Sequence, residues 1–124
     1  MTLELLEGDF SIYKFDSNYA ASEKFLSSKF VSITKTEDEI SIVAPKNEIH
    51  NSIKSENDWK ILKIDGILDF ALIGVLSKIS TILANENIAI FVISTYNTDY
   101  IMVKKDNVEK AIKALIKNQY EVKH

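Results

Sequence analysis

The sequence predicts an α+β protein in which antiparallel sheets carry helices on one face. Apolar and polar residues alternate between Val31 and Ala44, which is typical of half-buried strands. Apolar residues recur at helical spacing between Leu72 and Leu83, and a hairpin pattern near residue 33 returns near residue 93. Strands and helices therefore follow one another in each half of the chain, as in open-faced α+β folds.

The first half is predicted to contain three strands, at residues 10–15, 30–35 and 39–44, of which the last two form a hairpin. Pro45, the only proline, ends the third strand because proline cannot continue a central ladder. Ile49 and Ile53 then predict a short helix that begins near Lys46.

The second half begins with a mostly apolar strand from Trp59 to Ile64, which Gly66 closes. One apolar stripe predicts a long helix, and its members are Leu72, Val75, Leu76, Ile79, Ile82 and Leu83. Asn85 to Asn87 end this helix. Residues 88–93 form an uninterrupted apolar run, which predicts a central strand.

The remaining elements are a strand at residues 99–103, a second helix and a short final strand that contains Tyr120 and Val122. The second helix is marked by Val108, Ala111, Ile112, Leu115 and Ile116. The order in this half is βαββαβ, which is the ferredoxin-like arrangement.

Residues 33–43 align without a gap on residues 93–103, at a shift of 60 positions. The first strands of the two halves are offset by only about 50 positions, so the first half is shortened and its first helix is short or degenerate. The sequence thus predicts two ferredoxin-like βαββαβ modules side by side, a degenerate one at 1–57 and a complete one at 58–124. No Gly, Ser or Pro linker separates them, so we expect one folding unit with a cleft at the junction.

Composition excludes several classes of function. The 124 residues are 46% hydrophobic and carry a net charge of −3, with eighteen acidic residues, fifteen lysines and no arginine. Nucleic acid is an unlikely partner on this count, because its binding needs concentrated positive charge. The chain has no cysteine, no signal-like segment and no unbroken apolar span, so the default expectation is a cytoplasmic protein that does not enter a membrane.

Four stretches carry a resemblance to a known family. They are residues 36–43, residues 59–62, the segment Gly66 to Phe70 with Gly74, and the string Ser94-Thr95-Tyr96-Asn97-Thr98-Asp99-Tyr100. From Asp9 onward the chain resembles the tandem ACT-domain proteins of the aspartokinase-like and CASTOR-like group. The resemblance implies paired ACT folds, frequent dimerisation and a free amino acid bound between the two ACT units, without catalysis.

The loop before the long helix suits such a ligand on physical grounds. A helix N-terminus offers backbone N–H groups and partial positive charge to a carboxylate, and residues 70–73 are predicted to lie there. Asp69 would receive the ligand's ammonium or would cap the helix, and both roles are open. Gly74 would allow close approach of the helix to a ligand or to the sheet. The predicted ligand residues of this loop are Leu68, Asp69, Phe70, Ala71 and Gly74.

By resemblance, Ser41 and Ile42 of the first module and Thr95, Tyr96 and Asp99 of the second line the other side of the cleft. Asp99 in the cleft would favour a ligand with a basic or donor-rich side chain. Alternatively, Asp99 only caps the hairpin, because Asp is a common turn residue.

Catalysis finds no support in the sequence. The two histidines, His50 and His124, have no partners at metal-ligand spacing, and no phosphate loop or nucleophile motif is present. Residues 37–39 are acidic, which is typical of a solvated hairpin tip. We therefore expect no catalytic residue, no metal and no cofactor. The predicted function is a regulatory module that binds a free amino acid, forms a homodimer and acts on a protein partner; the alternative is an ACT-fold assembly module without a ligand.

Overall fold

The computed structural model describes residues 1–21, 23–49, 51–66 and 73–124. Within these ranges the strands are β1 (Thr2–Leu5), β2 (Phe10–Phe15), β3 (Ser32–Lys35), β4 (Ile40–Pro45), β5 (Lys54–Ile64), β6 (Ile90–Ser94), β7 (Asp99–Lys104) and β8 (Glu121–Lys123). The α-helices are α1 (Val75–Asn85) and α2 (Val108–Lys117), and 3₁₀ helices span Glu23–Ser27 and Lys105–Asn107. The predicted α+β class is confirmed.

The chain divides into two compact units. The N-terminal unit comprises Gly8–Trp59, and the C-terminal unit comprises Met1–Glu7 together with Lys60–His124. The boundary predicted from the sequence lies between residues 57 and 58, with residues 1–7 in the first module. The structure instead groups residues 1–7 with the C-terminal unit, so that unit is not continuous in sequence.

The C-terminal unit has the strand order β6-β7-β5-β1-β8. Strand β1 lies antiparallel to β5, with Leu3 opposite Ile64, and parallel to β8, with Leu3 opposite Val122. No strand is predicted at residues 2–5, although Leu3 and Leu5 alternate with Thr2 and Glu4 as in a half-buried strand. A four-residue alternation is too short to predict a strand without knowledge of the two strands that flank it.

The core of the C-terminal unit is aliphatic and lies between α1, α2 and one face of the sheet. Its buried members are Leu3, Leu62, Ile64, Ile79, Leu83, Ile88, Ile101, Val103, Ala111, Ile112 and Leu115. The helical members recur at the spacing that the sequence analysis uses, so both predicted helices are confirmed where they are described. Leu72, which the analysis includes in the first helix, lies outside the described residues.

The N-terminal unit has the strand order β3-β4-β2-β5 and contains a 3₁₀ helix in place of a long α-helix. The predicted hairpin is confirmed as β3–β4, and the predicted short first helix is the five-residue 3₁₀ helix Glu23–Ser27. Its core is rich in aromatic residues and comprises Tyr13, Phe15, Phe25, Ile40, Ile42, Ala44 and Ile49. Phe15 also stacks on Tyr19 at a ring-centroid distance of 3.9 Å.

The predicted short helix from Lys46 is absent from the described residues. Residues 46–48 form a turn in which the Glu48 N–H donates to the Pro45 carbonyl at 3.3 Å. Asn47 and Asn51 adopt left-handed backbone conformations, with φ of 70° and 67°. Such residues end right-handed helices, so the apolar spacing of Ile49 and Ile53 does not produce one.

The prediction that residues 88–93 form a central strand is also wrong. Among the described residues β6 pairs only with β7 and therefore lies at an edge of the C-terminal sheet. Ile90, Phe91, Val92 and Ile93 are each half-buried. An apolar run predicts a strand that is covered on both faces, but its place in the ladder depends on topology.

The internal repeat is real, but its shift is 59 residues and not 60. Thr36 and Thr95 occupy the same place in their hairpins, and each donates its N–H to the carbonyl three residues on, at 2.9 Å in both cases. Lys35 pairs with Ile40 as Ser94 pairs with Asp99. A one-residue slip turns every side chain to the other face of a strand, so the 60-residue alignment equates residues that point in opposite directions.

Candidate functional site

The end of β5 and the start of α1 bracket the predicted ligand loop. Leu68, Asp69, Phe70 and Ala71 lie outside the described residues, so their ligand contacts stay predictions. The N-cap of α1 is Gly74, with φ of 82° and ψ of 3°, and not Asp69 as one alternative proposes. A Cβ atom on Gly74 would meet no atom of the described residues within 4 Å, so the left-handed backbone conformation is what favours glycine there, and the predicted ligand contact of Gly74 stays a prediction.

The first turn of α1 is electrostatically suited to an anion. Gly74 has no side chain that could cap the turn, and no acidic residue lies in it. The N–H of Lys78 donates to the Gly74 carbonyl at 3.0 Å, which makes it the first backbone bond of the helix. The N-terminal N–H groups of a helix carry partial positive charge, so this turn favours a carboxylate or another anion.

The β6–β7 hairpin carries three predicted ligand residues and is held by bonds within its own turn. The Thr95 hydroxyl donates to the Thr98 carbonyl at 3.1 Å and accepts from the Thr98 N–H at 3.3 Å. The Ser94 hydroxyl donates to the Asp99 carboxylate at 2.5 Å. Tyr96 lies at the tip with 81% of its surface exposed. Asp99 thus caps the hairpin, and its carboxylate keeps further capacity to accept hydrogen bonds.

Thr98 is a residue that the sequence analysis treats only as a turn former. Its side chain is buried, with 3% exposed, and its hydroxyl donates to the carbonyl of Ile64 at 2.7 Å. Ile64 is the last residue of β5, two positions before Gly66. Thr98 therefore connects the hairpin to the point where the predicted ligand loop begins. Sequence gives no signal for this bond, because a threonine in a turn is equally suited to a local role.

The two predicted ligand residues of the N-terminal unit lie on β4. Ser41 is half-buried and stands opposite Lys14 on β2 and Thr34 on β3. Ile42 is fully buried in the aromatic core, so its side chain contributes to packing. Their predicted ligand contacts stay predictions.

An ion pair between Lys123 and Asp65 lies at the end of β5. Lys123 on β8 contacts the Asp65 carboxylate at 2.6 Å, and the Asp65 N–H donates to the Thr2 carbonyl at 2.9 Å. The hydrogen bond and the charge of Asp65 raise the pKa of Lys123. In the N-terminal unit, Asp58 contacts Lys46 at 2.8 Å and raises its pKa in the same way.

A shallow groove on the surface of α2 is a second candidate region that the sequence analysis does not contain. Its volume is about 400 Å³, and it is lined by Glu86, Asp106, Glu109, Lys110, Lys113, Ala114 and Lys117. Three lysines face three carboxylates, so the lining is nearly neutral. Exposed mixed charge of this kind is typical of a solvated surface.

The described residues offer neither a metal cluster nor a membrane-spanning helix. No group of three or more His, Cys, Asp or Glu side chains there could hold a metal ion. None of the helices described is both long enough and apolar enough to cross a membrane.

Comparison with known proteins gives the family. The ACT-domain family model matches residues 54–117, and a second model, for an N-terminal domain, matches residues 8–52. The second range lies within the N-terminal unit, and most of the first lies within the C-terminal unit. No curated protein sequence matches the chain significantly.

Several solved structures share the fold. A protein from Agobacterium tumefaciens is 28% identical, with a TM-score of 0.89 over 98% of this chain and 90% of that one. A protein of unknown function from Vibrio cholerae, described as a possible transport protein, is 21% identical, with a TM-score of 0.72 over 94% and 88%.

An allosteric enzyme completes the comparison. The aspartate kinase of Clostridium acetobutylicum is 17% identical, with a TM-score of 0.63 over 88% of this chain and 32% of the enzyme. The similarity thus covers only a part of that kinase. The likeness to this kinase is one of fold. The predicted ACT resemblance is confirmed by the family match, which spans more than half of the chain: this chain belongs to the ACT-domain family.

Proposed function

We propose that this protein is a regulatory module that binds a free amino acid and passes the binding event to a protein partner. ACT domains are regulatory small-molecule-binding modules in general, and this chain belongs to that family. The observation that carries the proposal is the first turn of α1, which has a glycine N-cap and no acidic residue. Such an anion-favouring turn suits the carboxylate of a zwitterion.

In this proposal different residues contact the carboxylate, the ammonium and the side chain of the ligand. The carboxylate lies at the N–H groups of Val75 to Ser77, and Asp69 receives the ammonium. Thr95, Tyr96 and Asp99 contact the ligand side chain, and Ser41 and Ile42 keep their predicted contacts. A carboxylate at Asp99 selects a basic or donor-rich side chain, because charge-assisted hydrogen bonds are the stronger ones.

The function requires no chemical step. A ligand shifts an equilibrium between two states only if it binds one of them more tightly. The states that matter here are two assemblies of the module, with or without its partner. The proposed regulation is therefore a coupling free energy between ligand binding and assembly.

A thermal-shift screen against the twenty free amino acids tests the proposal. A ligand at 100 times its dissociation constant adds about 2.7 kcal/mol, which is a shift of several degrees in a chain of this size. We expect one amino acid, or one chemical group of them, to raise the melting temperature. A flat panel at millimolar concentration would contradict ligand binding.

Two substitutions separate the ligand role of Asp99 from its role in the hairpin. Asp99→Asn removes the negative charge, whereas Ser94→Ala removes the hydroxyl that donates to it and leaves the carboxylate in place. We expect the first change to abolish selectivity for a basic ligand and the second to keep it. Glu39→Gln, on the other hairpin, is the control for loss of one negative charge.

One observation favours the alternative function, an assembly module without a ligand. The edge strand β6 contains no charged residue, no proline and no break in its register with β7. Natural edge strands are usually protected by charged side chains, proline or bulges. An edge strand without these features suits pairing with a second copy of the chain.

Sedimentation equilibrium tests this homodimer. A mass near 14.1 kDa at high concentration would contradict it. Ile93→Lys on β6 should shift a dimer toward monomer, whereas Ile33→Lys on the edge strand β3 should not. A dimer with a flat amino-acid panel would favour the assembly function over the ligand-binding one.

A further inference from the structure

We propose that the outer face of α2 is a two-fold docking surface for a second copy of this chain, held by ion pairs between the two copies. The groove on this helix, about 400 Å³ in volume, has three carboxylates and three ammonium groups in its lining. The proposal goes beyond the proposed function, because it uses neither the ligand contacts nor the edge strand β6.

The first step of the argument is that these charges are available. Within the described part of the chain, no ion pair or side-chain hydrogen bond engages the six charged side chains of the lining, which are Glu86, Asp106, Glu109, Lys110, Lys113 and Lys117. Glu109 precedes Lys113 by four residues, which is the favoured spacing for an ion pair within a helix, and yet the two are not paired. The groove therefore offers its charges to a partner.

The second step is the order of the charges along the chain. The carboxylates of Asp106 and Glu109 come first, and the ammonium groups of Lys110, Lys113 and Lys117 follow. These lysines are spaced by three and four residues, so they are neighbours on one helix face and repel one another. Although the lining as a whole is nearly neutral, this face has a negative end and a positive end.

The third step is the symmetry of this pattern. Two antiparallel helices related by a two-fold axis bring together residues that lie equally far from the axis on opposite sides. Glu109 and Lys113 are centred on residue 111, and Asp106 and Lys117 are centred between residues 111 and 112. One register therefore pairs Glu109 with the partner's Lys113 and Asp106 with the partner's Lys117. The two-fold axis repeats both contacts.

An exposed apolar side chain borders the same surface. Ile116 is 49% exposed and follows Lys113 by three residues and Glu109 by seven, which places it on the same side of the helix. Ion pairs on a surface contribute little individually and are screened by salt. The contacts therefore predict a weak, salt-dependent association and not an obligate dimer.

Charge reversal tests this surface. Glu109→Lys places two ammonium groups against each other and Lys113→Glu places two carboxylates against each other, so each variant should associate with itself about tenfold more weakly than the wild type. A mixture of the two variants places every ammonium group against a carboxylate and should regain the wild-type affinity. Glu37→Lys and Lys78→Glu, at exposed positions outside the groove, are the matched control pair.

The association is measured at about 0.01 M and about 1 M salt by NMR titration, with one isotope-labelled and one unlabelled variant. We expect the backbone amides of residues 108–117 to shift on mixing at low salt and not at high salt. Single variants that associate as strongly as the wild type would overturn the proposal, and so would a mixture that associates no better than its components. A wild type without salt-dependent association, as a purely solvated surface implies, would overturn it as well.

Ile93→Lys separates this surface from the edge strand β6. This variant should keep the salt-dependent amide shifts of α2, because the proposed contacts do not include β6. Loss of those shifts in a folded Ile93→Lys protein would overturn the proposal. If Ile93→Lys does not fold, the mixing experiment decides, because charge reversal on α2 leaves β6 unchanged.

Discussion

The two units contain the same hairpin but support it differently. In the C-terminal unit β6–β7 belongs to a sheet that two α-helices cover with an aliphatic core. In the N-terminal unit β3–β4 lies beside a core with three aromatic residues and a 3₁₀ helix of five residues. The turns close by matching hydrogen bonds in both units. Turn closure is thus a local property of the sequence, whereas the support of the turn depends on what packs nearby.

The two hairpins also differ in the chemistry of their tips. The hairpin tip of the N-terminal unit is acidic and exposed at residues 37 and 38. The hairpin of the C-terminal unit contains uncharged polar residues from Ser94 to Thr98 and is attached to β5 by Thr98. The same backbone element therefore serves as a solvated tip in one unit and as the proposed ligand wall in the other.

The largest expected effect comes from a residue near the start of the chain. Leu3→Ala removes a fully buried side chain of the aliphatic core and should lower the free energy of unfolding by about 2–5 kcal/mol. Hydrogen exchange should accelerate in residues 60–124, although the substitution lies outside that range. Ile42→Ala, also at a fully buried position, is the matched change in the N-terminal unit. If both variants accelerated exchange equally in the two units, the division into separate cores would be contradicted.

A smaller effect is expected at the start of α1. Gly74→Ala forces a residue with a Cβ into a left-handed conformation and should cost about 1–2 kcal/mol, with no added steric clash. Gly74→Asn should cost less, since asparagine tolerates positive φ and is a favoured N-cap. Chemical denaturation of the two variants measures the difference. Equal losses would show that the left-handed conformation does not govern this position.

The side-chain hydrogen bonds that cap the hairpins should contribute less to the free energy of unfolding than Gly74 does. Ser94→Ala removes the hydrogen bond to Asp99 and should cost about 0.5–1.5 kcal/mol, toward the lower end because both residues are on the surface. The matched substitution in the N-terminal unit is Lys35→Ala, because Lys35 is equivalent to Ser94. The Lys35 ammonium contacts the Ser17 carbonyl and not a carboxylate. Amide exchange at Thr95 and Thr36 should change only in the unit that carries the substitution. A change in the opposite hairpin would speak against local closure.

The smallest effect concerns pH and the two ion pairs, one in each unit. Partners raise the pKa of Lys46 and of Lys123 above the ordinary value of 10.5, so each pair stabilises the fold below that pH. The stabilisation is lost as pH rises through the raised pKa values. The stability difference between wild type and Lys46→Met or Lys123→Met should therefore shrink above pH 10.5, and added salt should reduce it at neutral pH. If the stability difference between wild type and variant grew with pH, the predicted direction of the pH dependence would be contradicted.

Sequence patterns predict the elements that repeat over several turns or strand residues. The stripe around Ile79 and Leu83 predicts α1, and the stripe around Ala111 and Leu115 predicts α2. The alternations in residues 32–35 and 40–45 predict their hairpin. These predictions succeed because side-chain periodicity follows directly from backbone geometry.

Sequence patterns fail where an element depends on partners that are distant in the chain. Strand β1 is stable between β5 and β8, which lie more than fifty residues away. The edge position of β6 follows from the order of the strands and not from its apolar composition. The turn at Asn47 overrides the helical spacing of Ile49 and Ile53.

The candidate site shows the same division. The family resemblance, the polar hairpin string and the glycine before α1 can be read from the chain alone, because these are properties of contiguous residues. Three features require the folded molecule: Gly74 is the N-cap, the repeat shift is 59 residues, and Thr98 bonds to Ile64. Strand register and a buried hydrogen bond depend on two segments that meet in space, and the chain order of those segments does not specify how they meet.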